Sequence, residues 1–358
     1  MNAIDYIISS DQAWKDQQDL DSLCRDRPLE TQEPFPPNAF YGFDRALKTY
    51  CDLPAHRPLK FVSPHGLALD SEYLWEAERR SDVPLILCYP PFRRHVYLRQ
   101  TNKLVLPSAS PFLYAKKVLE ARYLIPCNKN ENRGTLFFPA HSTHFIDTEL
   151  DYRRLARAAA ALPLEMRPVR VCLYWKDYLA GRAVPFQREG LEVVSAGHMF
   201  DPAFPYRLFH LCASHRFCAG NEIGSHTFYS MAAGCSYFIM HNHVSRRSAD
   251  KAILQRDTGT TAPMNRRLIP LFQNPRRFPH PRQLWAQRYF LGSAHLLPPA
   301  ELRAVFDLAE ELDGSWWSVS QRSGRRVTIP PSVRRDLKQL KAMATSRIPA
   351  LLRPGRRH

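Results

Sequence analysis

The chain contains no uncharged apolar run of 18 residues, although 44% of its 358 residues are hydrophobic. A transmembrane helix needs a run of about that length. The first residues, MNAIDYIISSDQAWKDQQDLD, carry acidic groups and lack the basic stretch that precedes the apolar core of a signal sequence. These absences predict a cytoplasmic protein that spans no membrane.

The eight cysteines include no C-x-x-C pair, and several lie inside apolar runs such as VRVCLYW. We therefore expect reduced structural thiols rather than disulfides or a zinc site. The paired histidines of HSTH (141–144) and HNH (241–243) have no acidic or cysteine partner at metal-ligand spacing. No metal and no other cofactor is expected.

The net charge of +16 is unevenly distributed along the chain. Residues 322–358 contain eleven Lys or Arg and a single acidic residue, Asp336, so this tail alone carries +10. The rest is mildly basic and contains no nucleic-acid recognition motif, which disfavours a nucleic-acid partner. Because the tail also contains Leu, Ile, Val and Met, two interpretations stay open: a segment that binds an anionic membrane surface on the inner face of the cell membrane, or a solvated basic end.

Short β-rich runs alternate with amphipathic segments, a pattern typical of βαβ units with parallel sheets. The expected strands are 59–63, 83–89, 103–108, 135–142, 169–175, 191–197, 215–220 and 235–241, and the expected helices are 70–80, 111–122, 148–161, 178–189, 202–214, 225–233, 281–292 and 298–312. The strands are apolar nearly throughout, as when helices cover both faces of a sheet. We predict an α/β protein with two facing, doubly wound, Rossmann-like domains.

A polar, turn-rich bridge, CNKNENRG at 127–134, is the predicted interdomain linker. It separates an N-terminal domain, 1–126, from a C-terminal domain, 135–280. Two closing helices within 281–314 and the basic tail, 315–358, follow.

Polar side chains follow the predicted strands of the second domain. Because ligands bind at the carboxyl ends of strands in doubly wound domains, these positions are the candidate site. They include His141, Ser142, His144, Lys176, His198, Asp201, Asn221, Glu222, Gly224, Ser225 and His226. The set offers donors for phosphate and acceptors for ribose hydroxyls, and it contains no compact catalytic triad.

Gly224, Ser225 and His226 lie where the helix 225–233 is expected to begin. Glycine permits close backbone approach, Ser225 can cap the helix, and the N–H groups of the first turn favour an anion such as a diphosphate. An ordinary helix cap is the alternative interpretation.

Several runs in the second half resemble bacterial GT-B glycosyltransferases of surface-polysaccharide and lipopolysaccharide biosynthesis. The runs are GTLFFPAHSTHFID, VRVCLYWKDYLAGR, VVSAGHMFDPAF and GNEIGSHTFYSMAAG, and upstream FVSPHGLALD and LVLPSASPFLYAKK are similar to the N-terminal half of that group. The resemblance covers about residues 40–245. It implies sugar transfer from a nucleotide-sugar donor, held mainly by the second domain, to a saccharide or lipid-linked saccharide acceptor, with no essential metal.

The resemblance also implies roles for individual residues. Donor phosphates would be contacted by Asn221, Gly224, Ser225 and His226, with His141 and His144 beside them, while Glu222 or Asp201 would hold ribose or sugar hydroxyls. Many retaining members carry a glutamate five residues before the glycine that ends this helix, but this chain has Tyr229 there. The donor-ribose contact of that group is therefore not carried over.

His65, in SPHG, is the candidate general base on the acceptor hydroxyl, because imidazole titrates near neutrality and a strand end can present it. A buried, hydrogen-bonded histidine is the alternative interpretation. Asp70 is the second candidate, with a helix cap as its alternative role. Two other functions stay open: transfer of a polyol phosphate from a CDP-activated donor, and nucleic-acid binding by a basic protein.

Overall fold

The computed structural model describes residues 19–69, 72, 74–122, 134–143, 145–240, 243–249 and 263–313. The α-helices are α1 Leu20–Cys24, α2 Phe43–Tyr50, α3 Glu76–Arg80, α4 Arg93–Gln100, α5 Pro111–Arg122, α6 Tyr152–Ala160, α7 Trp175–Leu179, α8 Val184–Arg188, α9 Phe204–Ala213, α10 Ser225–Ala232, α11 Pro263–Phe272, α12 Pro281–Phe290 and α13 Pro299–Leu312. Short 3-10 helices span Pro36–Gly42, Leu164–Met166 and Ser293–His295. The strands are β1 Phe61–Val62, β2 Leu85–Cys88, β3 Leu104–Pro107, β4 Thr135–Phe138, β5 Asp147–Leu150, β6 Val169–Cys172, β7 Glu192–Val194, β8 Phe217–Gly220, β9 Ser236–Ile239 and β10 Val244–Arg247.

The larger sheet has five parallel strands in the order β7-β6-β4-β8-β9. Its first strand along the chain, β4, lies in the middle, and the chain builds outward through β6 and β7 before it crosses to β8 and β9. Both faces of β4 are buried, which explains why its residues TLFF are apolar nearly throughout. The order reverses between β4 and β8, where open α/β sheets form a crevice for ligands.

The smaller sheet has three parallel strands in the order β1-β2-β3. Its strands and the helices α2 and α5 contribute buried residues to a hydrophobic cluster that also includes residues of the larger sheet. Phe112 of α5 lies 6.2 Å from Phe209 of α9, ring centre to ring centre. Helices of the two sheets therefore pack directly against each other.

Helix α13 returns to the smaller sheet near the end of the described chain. The ring of Phe306 meets Phe61 of β1 edge to face, with centroids 5.0 Å apart. At the rim, Arg57 donates to Glu310 at 2.8 and 2.9 Å and to Asp307 at 2.7 Å. A late segment of the chain thus closes the core of an early one.

The α/β class and the parallel sheets are confirmed. Helix 111–122 has the predicted bounds, and each predicted strand has a shorter strand within it. The helix predicted at 148–161 is wrong at its start, because 147–150 forms β5, which pairs antiparallel with β10. The helix predicted at 178–189 is two short helices, α7 and α8, separated by Gly181 with φ of 73°.

Other predictions meet the structure only in part. Of the helix predicted at 70–80, the described part is Glu76–Arg80. Residues 127–133 of the predicted linker and the tail 315–358 lie outside the described residues. The seven cysteines within the described ranges are buried free thiols. In those same ranges, no helix has the length and apolar character needed to cross a membrane.

Candidate functional site

A cavity of about 350 Å³ lies where the carboxyl ends of β4, β6 and β8 meet the loop after β1. The smaller-sheet side contributes Tyr41, Phe43, His65, Gly66 and Leu67. The larger-sheet side contributes polar residues, His141, Tyr174, Glu222, Gly224, Ser225, His226 and Tyr229, and the apolar residues Phe138, Pro139, Cys172, Leu173, Ala196, Phe204 and Leu208. The cavity therefore occupies the point where the strand order reverses.

The first turn of α10 forms one wall of the cavity. The Thr227 hydroxyl accepts from the Gly224 N–H at 3.1 Å, and the Thr227 N–H donates to the Gly224 carbonyl at 3.1 Å. The helix cap is thus the pair Gly224 and Thr227, and the prediction that Ser225 caps the helix is wrong. The N–H groups of Ser225 and His226, in the first turn, have no acceptor within the helix.

Ser225 joins the two sides of the cavity instead. Its Oγ accepts a hydrogen bond from the N–H of Leu67 at 3.1 Å. Leu67 belongs to the loop after β1, two residues beyond His65. This bond fixes the loop of the smaller sheet against the start of α10.

His226 is held by a chain of hydrogen bonds. The Tyr237 hydroxyl donates to the Glu222 carbonyl at 2.9 Å and lies 3.1 Å from His226 Nε2. Because that hydroxyl has a single proton, His226 Nε2 carries the hydrogen in this bond and Nδ1 is the acceptor of the neutral ring. Burial, with a smaller effect from neighbouring His141, lowers the His226 pKa to about 3, so the ring is neutral at physiological pH.

Gly220 makes this arrangement possible. A Cβ at position 220 would lie 2.3 Å from Tyr237 Oη and 3.0 Å from His226 Nε2. Glycine is therefore required at the end of β8 for both side chains to approach the backbone. Sequence reasoning missed Gly220 and Tyr237, because their closeness comes from pairing between β8 and β9.

Glu222 lines the cavity, but its carboxylate is already paired. Arg246 of β10 donates to this carboxylate. The Arg246 side chain is 14% exposed and the Glu222 side chain is 12% exposed. The pair anchors the β5–β10 ribbon to the loop after β8. Any contact from Glu222 to a sugar hydroxyl would share this carboxylate with Arg246.

His65 faces the cavity from an aromatic wall. Its ring centre lies 4.9 Å from Phe40, 6.0 Å from Tyr41 and 6.0 Å from Trp75. Burial lowers the His65 pKa to about 4, below the near-neutral value expected from the sequence, so the imidazole is neutral at physiological pH and is a weaker base than a free imidazole. Asp70, the second candidate base, and His144 lie outside the described residues.

His141 also reaches the cavity, where its ring centre lies 4.9 Å from that of Tyr174. The strand ends thus bring His141, Glu222, Gly224, Ser225 and His226 together, as expected of residues that follow neighbouring parallel strands. Across the cavity from this group is His65.

The remaining predicted residues are not among those that line the cavity, and their polar groups hold loops in place. Ser142 accepts from Thr148 N–H at 3.0 Å and from Arg182 at 2.6 Å, and the Lys176 ammonium donates to the Thr143 carbonyl at 2.7 Å. Asn221 accepts from Ala140 N–H at 3.2 Å and donates to the Met240 carbonyl at 3.0 Å. The Asn221 amide therefore ties the end of β4 to the end of β9.

His198 and Asp201 lie deeper in the fold. His198 is fully buried, with its ring centre 4.0 Å from that of Trp175. Asp201 accepts from Arg207 at 2.7 Å and from Ala203 N–H at 2.8 Å, just before α9. Both groups stabilise the segment between β7 and α9.

Tyr229 is buried at the position where many retaining members of the resembled group carry a glutamate. Its ring stacks on Phe112 of α5, with centroids 4.2 Å apart and planes 11° from parallel. Its hydroxyl accepts from Ser110 Oγ at 3.4 Å. Tyr229 therefore connects α10 to the smaller-sheet side. The sequence shows only an aromatic residue in a helix and does not predict this contact.

The charge of the described cavity wall is unusual for an anion site. It contains three imidazoles and one carboxylate, but no lysine or arginine. Among the described residues, no group of three or more His, Cys, Asp or Glu side chains could hold a metal ion. An anion in the cavity would meet backbone N–H groups, the helix dipole and imidazole rings.

No family model, curated protein or solved structure matches this chain.

Proposed function

We propose that the protein is a glycosyltransferase that moves a sugar from a nucleotide-sugar donor to a growing surface polysaccharide or lipopolysaccharide. One observation supports the proposal most. The α10 N-terminus and the loop that contains His65 line the same cavity, at the point where the strand order reverses. The Leu67 to Ser225 hydrogen bond joins these two elements at 3.1 Å. A donor and an acceptor could therefore reach each other from opposite walls.

In this proposal the diphosphate binds at the first turn of α10. The N–H groups of Ser225 and His226 are open in the first turn, and the helix dipole favours negative charge there. His141 adds a ring nitrogen to the same wall, and the neutral His226 ring, whose Nε2–H is used by Tyr237, holds the wall in place. Since no lysine or arginine belongs to the described wall, backbone N–H groups carry most of the phosphate recognition.

His65 is proposed as the general base. It takes the proton from an acceptor hydroxyl as the acceptor oxygen bonds to the anomeric carbon, and the bond from that carbon to the diphosphate oxygen breaks. The leaving nucleoside diphosphate keeps the bonding electron pair, and the α10 N-terminus stabilises its charge. Tyr41 and Phe40 pack around His65 on this side.

The wider arrangement is part of the same proposal. The smaller and larger sheets would belong to two facing GT-B-like domains, 1–126 and 135–280, with the acceptor on the first side and the donor on the second. The enzyme would act in the cytoplasm, at the inner face of the cell membrane, on a saccharide or lipid-linked saccharide.

A thermal-shift screen of nucleotides and nucleotide-sugars tests donor binding. We expect one nucleotide base to raise the melting temperature at concentrations well above its dissociation constant. A preference for CDP compounds, with CMP as the released product, would instead indicate polyol phosphate transfer. A flat response across the panel would contradict both.

The His65→Gln variant tests the assignment of the base. With the donor found by the screen, we expect turnover to fall by roughly 100-fold or more and donor affinity to stay within about twofold. The matched control is His210→Gln, since burial also lowers the pKa of His210 to about 4 and this residue lies on α9 outside the cavity wall. Equal turnover in the two variants would contradict the role of His65.

A further inference from the structure

A basic and aromatic surface lies on α12 and the loop before it, and none of its residues lines the cavity. Phe278, in the loop, is 73% exposed, and Trp285, in the helix, is 55% exposed. Exposed arginines surround both. We call this set the α12 surface: Arg276, Arg277, Phe278, Arg282, Trp285 and Arg288.

The helix period places the exposed members of α12 on one side. Arg282, Trp285 and Arg288 recur every three residues, while Gln283 and Phe290 are buried on the other side. The Trp285 ring stacks on Tyr289, with centroids 5.1 Å apart and planes 9° from parallel. The indole is thus held at the surface by its own helix.

The charge of this region has one sign. Residues 258–300 contain no Asp or Glu. Within the described part of the chain, none of the four arginines of the α12 surface pairs with a carboxylate, and Arg277 instead lies over the Phe278 ring at 5.7 Å. The surface therefore presents uncompensated positive charge next to two large exposed rings.

We propose that the α12 surface docks the protein on the anionic headgroups of a lipid bilayer. Arginine binds lipid phosphates and is attracted by the negative surface potential, while Trp and Phe are stable at the headgroup boundary. A single-stranded nucleic acid would also meet arginines and rings, but such partners bind in grooves that track the backbone. Here the rings stand on the outer side of one helix and its loop.

The docking surface lies close behind the cavity wall. Phe290, on the buried side of α12, stacks on Phe228 of α10 with centroids 5.1 Å apart. Packed helix axes are about 8–10 Å apart, so one helix separates the lipid from α10. If the proposed glycosyl transfer holds, docking brings the membrane within about one helix of the donor wall.

Vesicle flotation with the full chain tests the surface without any donor or activity assay, so its outcome is independent of the proposed function. The wild type should float with vesicles of equal phosphatidylcholine and phosphatidylglycerol, and not with pure phosphatidylcholine. Replacing Arg276, Arg277, Arg282 and Arg288 together by Gln should weaken binding by roughly 100-fold. The Phe278→Ala, Trp285→Ala double variant should weaken it by roughly tenfold.

Matched controls remove the same charge and apolar area elsewhere. Arg153, Arg154, Arg157 and Arg188 are exposed on α6 and α8, and Phe145 and Leu164 are exposed apolar residues. Their Gln and Ala replacements should bind vesicles like the wild type. Brominated phosphatidylglycerol should also quench tryptophan emission in the wild type, and less in Trp285→Phe.

Three outcomes would overturn the proposal. The first is a wild type that does not bind the anionic vesicles. The second is binding that the α12-surface variants retain in full, which would assign it to another segment such as the basic tail. The third is loss of binding to an RNA or DNA oligonucleotide in these variants with no change on vesicles, which would identify a nucleic-acid surface.

Discussion

At the scale of single residues, the fold depends on a few close approaches that a sequence does not display. The end of β8 is the clearest, because a hydroxyl and an imidazole occupy the space that a side chain at Gly220 would need. Glycine is needed at such a position because neighbouring atoms fill the space of a side chain, not because of its helix or strand propensity.

Gly220→Ala should therefore damage the site. We expect the Tyr237 hydroxyl to move, the His226 contact to be lost, and the free energy of unfolding to fall by roughly 1–3 kcal/mol. The control is Gly66→Ala, since a Cβ there would meet no atom within 4 Å. Urea unfolding of both variants checks this, and equal stability would contradict the close approach.

Glu78 provides a pH test at the same scale. Burial raises its pKa to about 7, although the Tyr97 hydroxyl donates to it at 3.0 Å. The folded state thus holds a proton that the unfolded state releases near its ordinary pKa of 4.5, so this group lowers stability as pH rises between those values. Glu78→Gln removes the titration.

The stability of Glu78→Gln relative to the wild type should increase by roughly 2–3 kcal/mol from about pH 5 to about pH 8. The exposed Glu165→Gln should show no such change. Parallel urea unfolding curves at both pH values make the comparison, and a constant difference for Glu78→Gln would contradict the raised pKa.

The candidate site also shows what residue-level reasoning can and cannot predict. Positions after parallel strands were enough to bring His141, Glu222, Gly224 and His226 to one cavity. The same rule selected Asn221 and Asp201, whose side chains turn to hold neighbouring loops. Strand order predicts the neighbourhood of a residue, whereas the direction of its side chain depends on partners distant in sequence.

At the scale of elements, local patterns predicted those helices and strands whose own residues carry an apolar or helix-forming signal. Helix α5 has its predicted bounds, because Pro111 at its first position and the good helix formers that follow mark it locally. The sequence predicts the start of a helix where strand β5 forms, since the segment DTEL is polar and half exposed and its partner β10 lies about a hundred residues further on. Pairing at that distance leaves no signal in the DTEL segment itself.

Helix α10 supplies the test at this scale, through Tyr229. Tyr229→Glu introduces the residue type found in many retaining GT-B enzymes, but into a buried position stacked on Phe112. We expect the free energy of unfolding to fall by about 3 kcal/mol or more, because the described cavity wall offers no Lys or Arg to pair with the buried carboxylate. The conservative Tyr229→Phe should cost about 1 kcal/mol or less, as it keeps the stacked ring and its hydroxyl lies 3.4 Å from Ser110 Oγ.

Thermal and urea unfolding followed by circular dichroism distinguish the two variants. A Tyr229→Glu protein as stable as the wild type would show that the position is open to solvent. A glutamate there could then contact a donor ribose, as in the resembled enzymes.

At the scale of the whole molecule, the two sheets are joined by a shared core and closed by α13. Phe306 is 1% exposed and packs on Phe61, whereas Arg57 pairs with Glu310 at the partly exposed rim. Phe306→Ala should lower the free energy of unfolding by about 3–5 kcal/mol. Arg57→Ala should lower it by no more than about 2 kcal/mol, since solvent screens the rim pairs.

Chemical denaturation of these two variants measures how α13 is held. A larger effect from Arg57→Ala than from Phe306→Ala would mean that ion pairs rather than the core attach this helix. The sequence predicted a closing helix here, but not that it would cover β1, because the contact spans most of the chain.

The most direct test of the proposed donor site is isothermal titration calorimetry of the wild type, His226→Ala and His210→Ala with the nucleotide-sugar chosen by the screen. The account predicts that His226→Ala weakens binding by roughly tenfold or more, because the ring that holds the Tyr237 hydroxyl beside the first turn of α10 is lost, while His210→Ala binds within about twofold of the wild type. Equal affinity in all three proteins, or no binding in any, would contradict it.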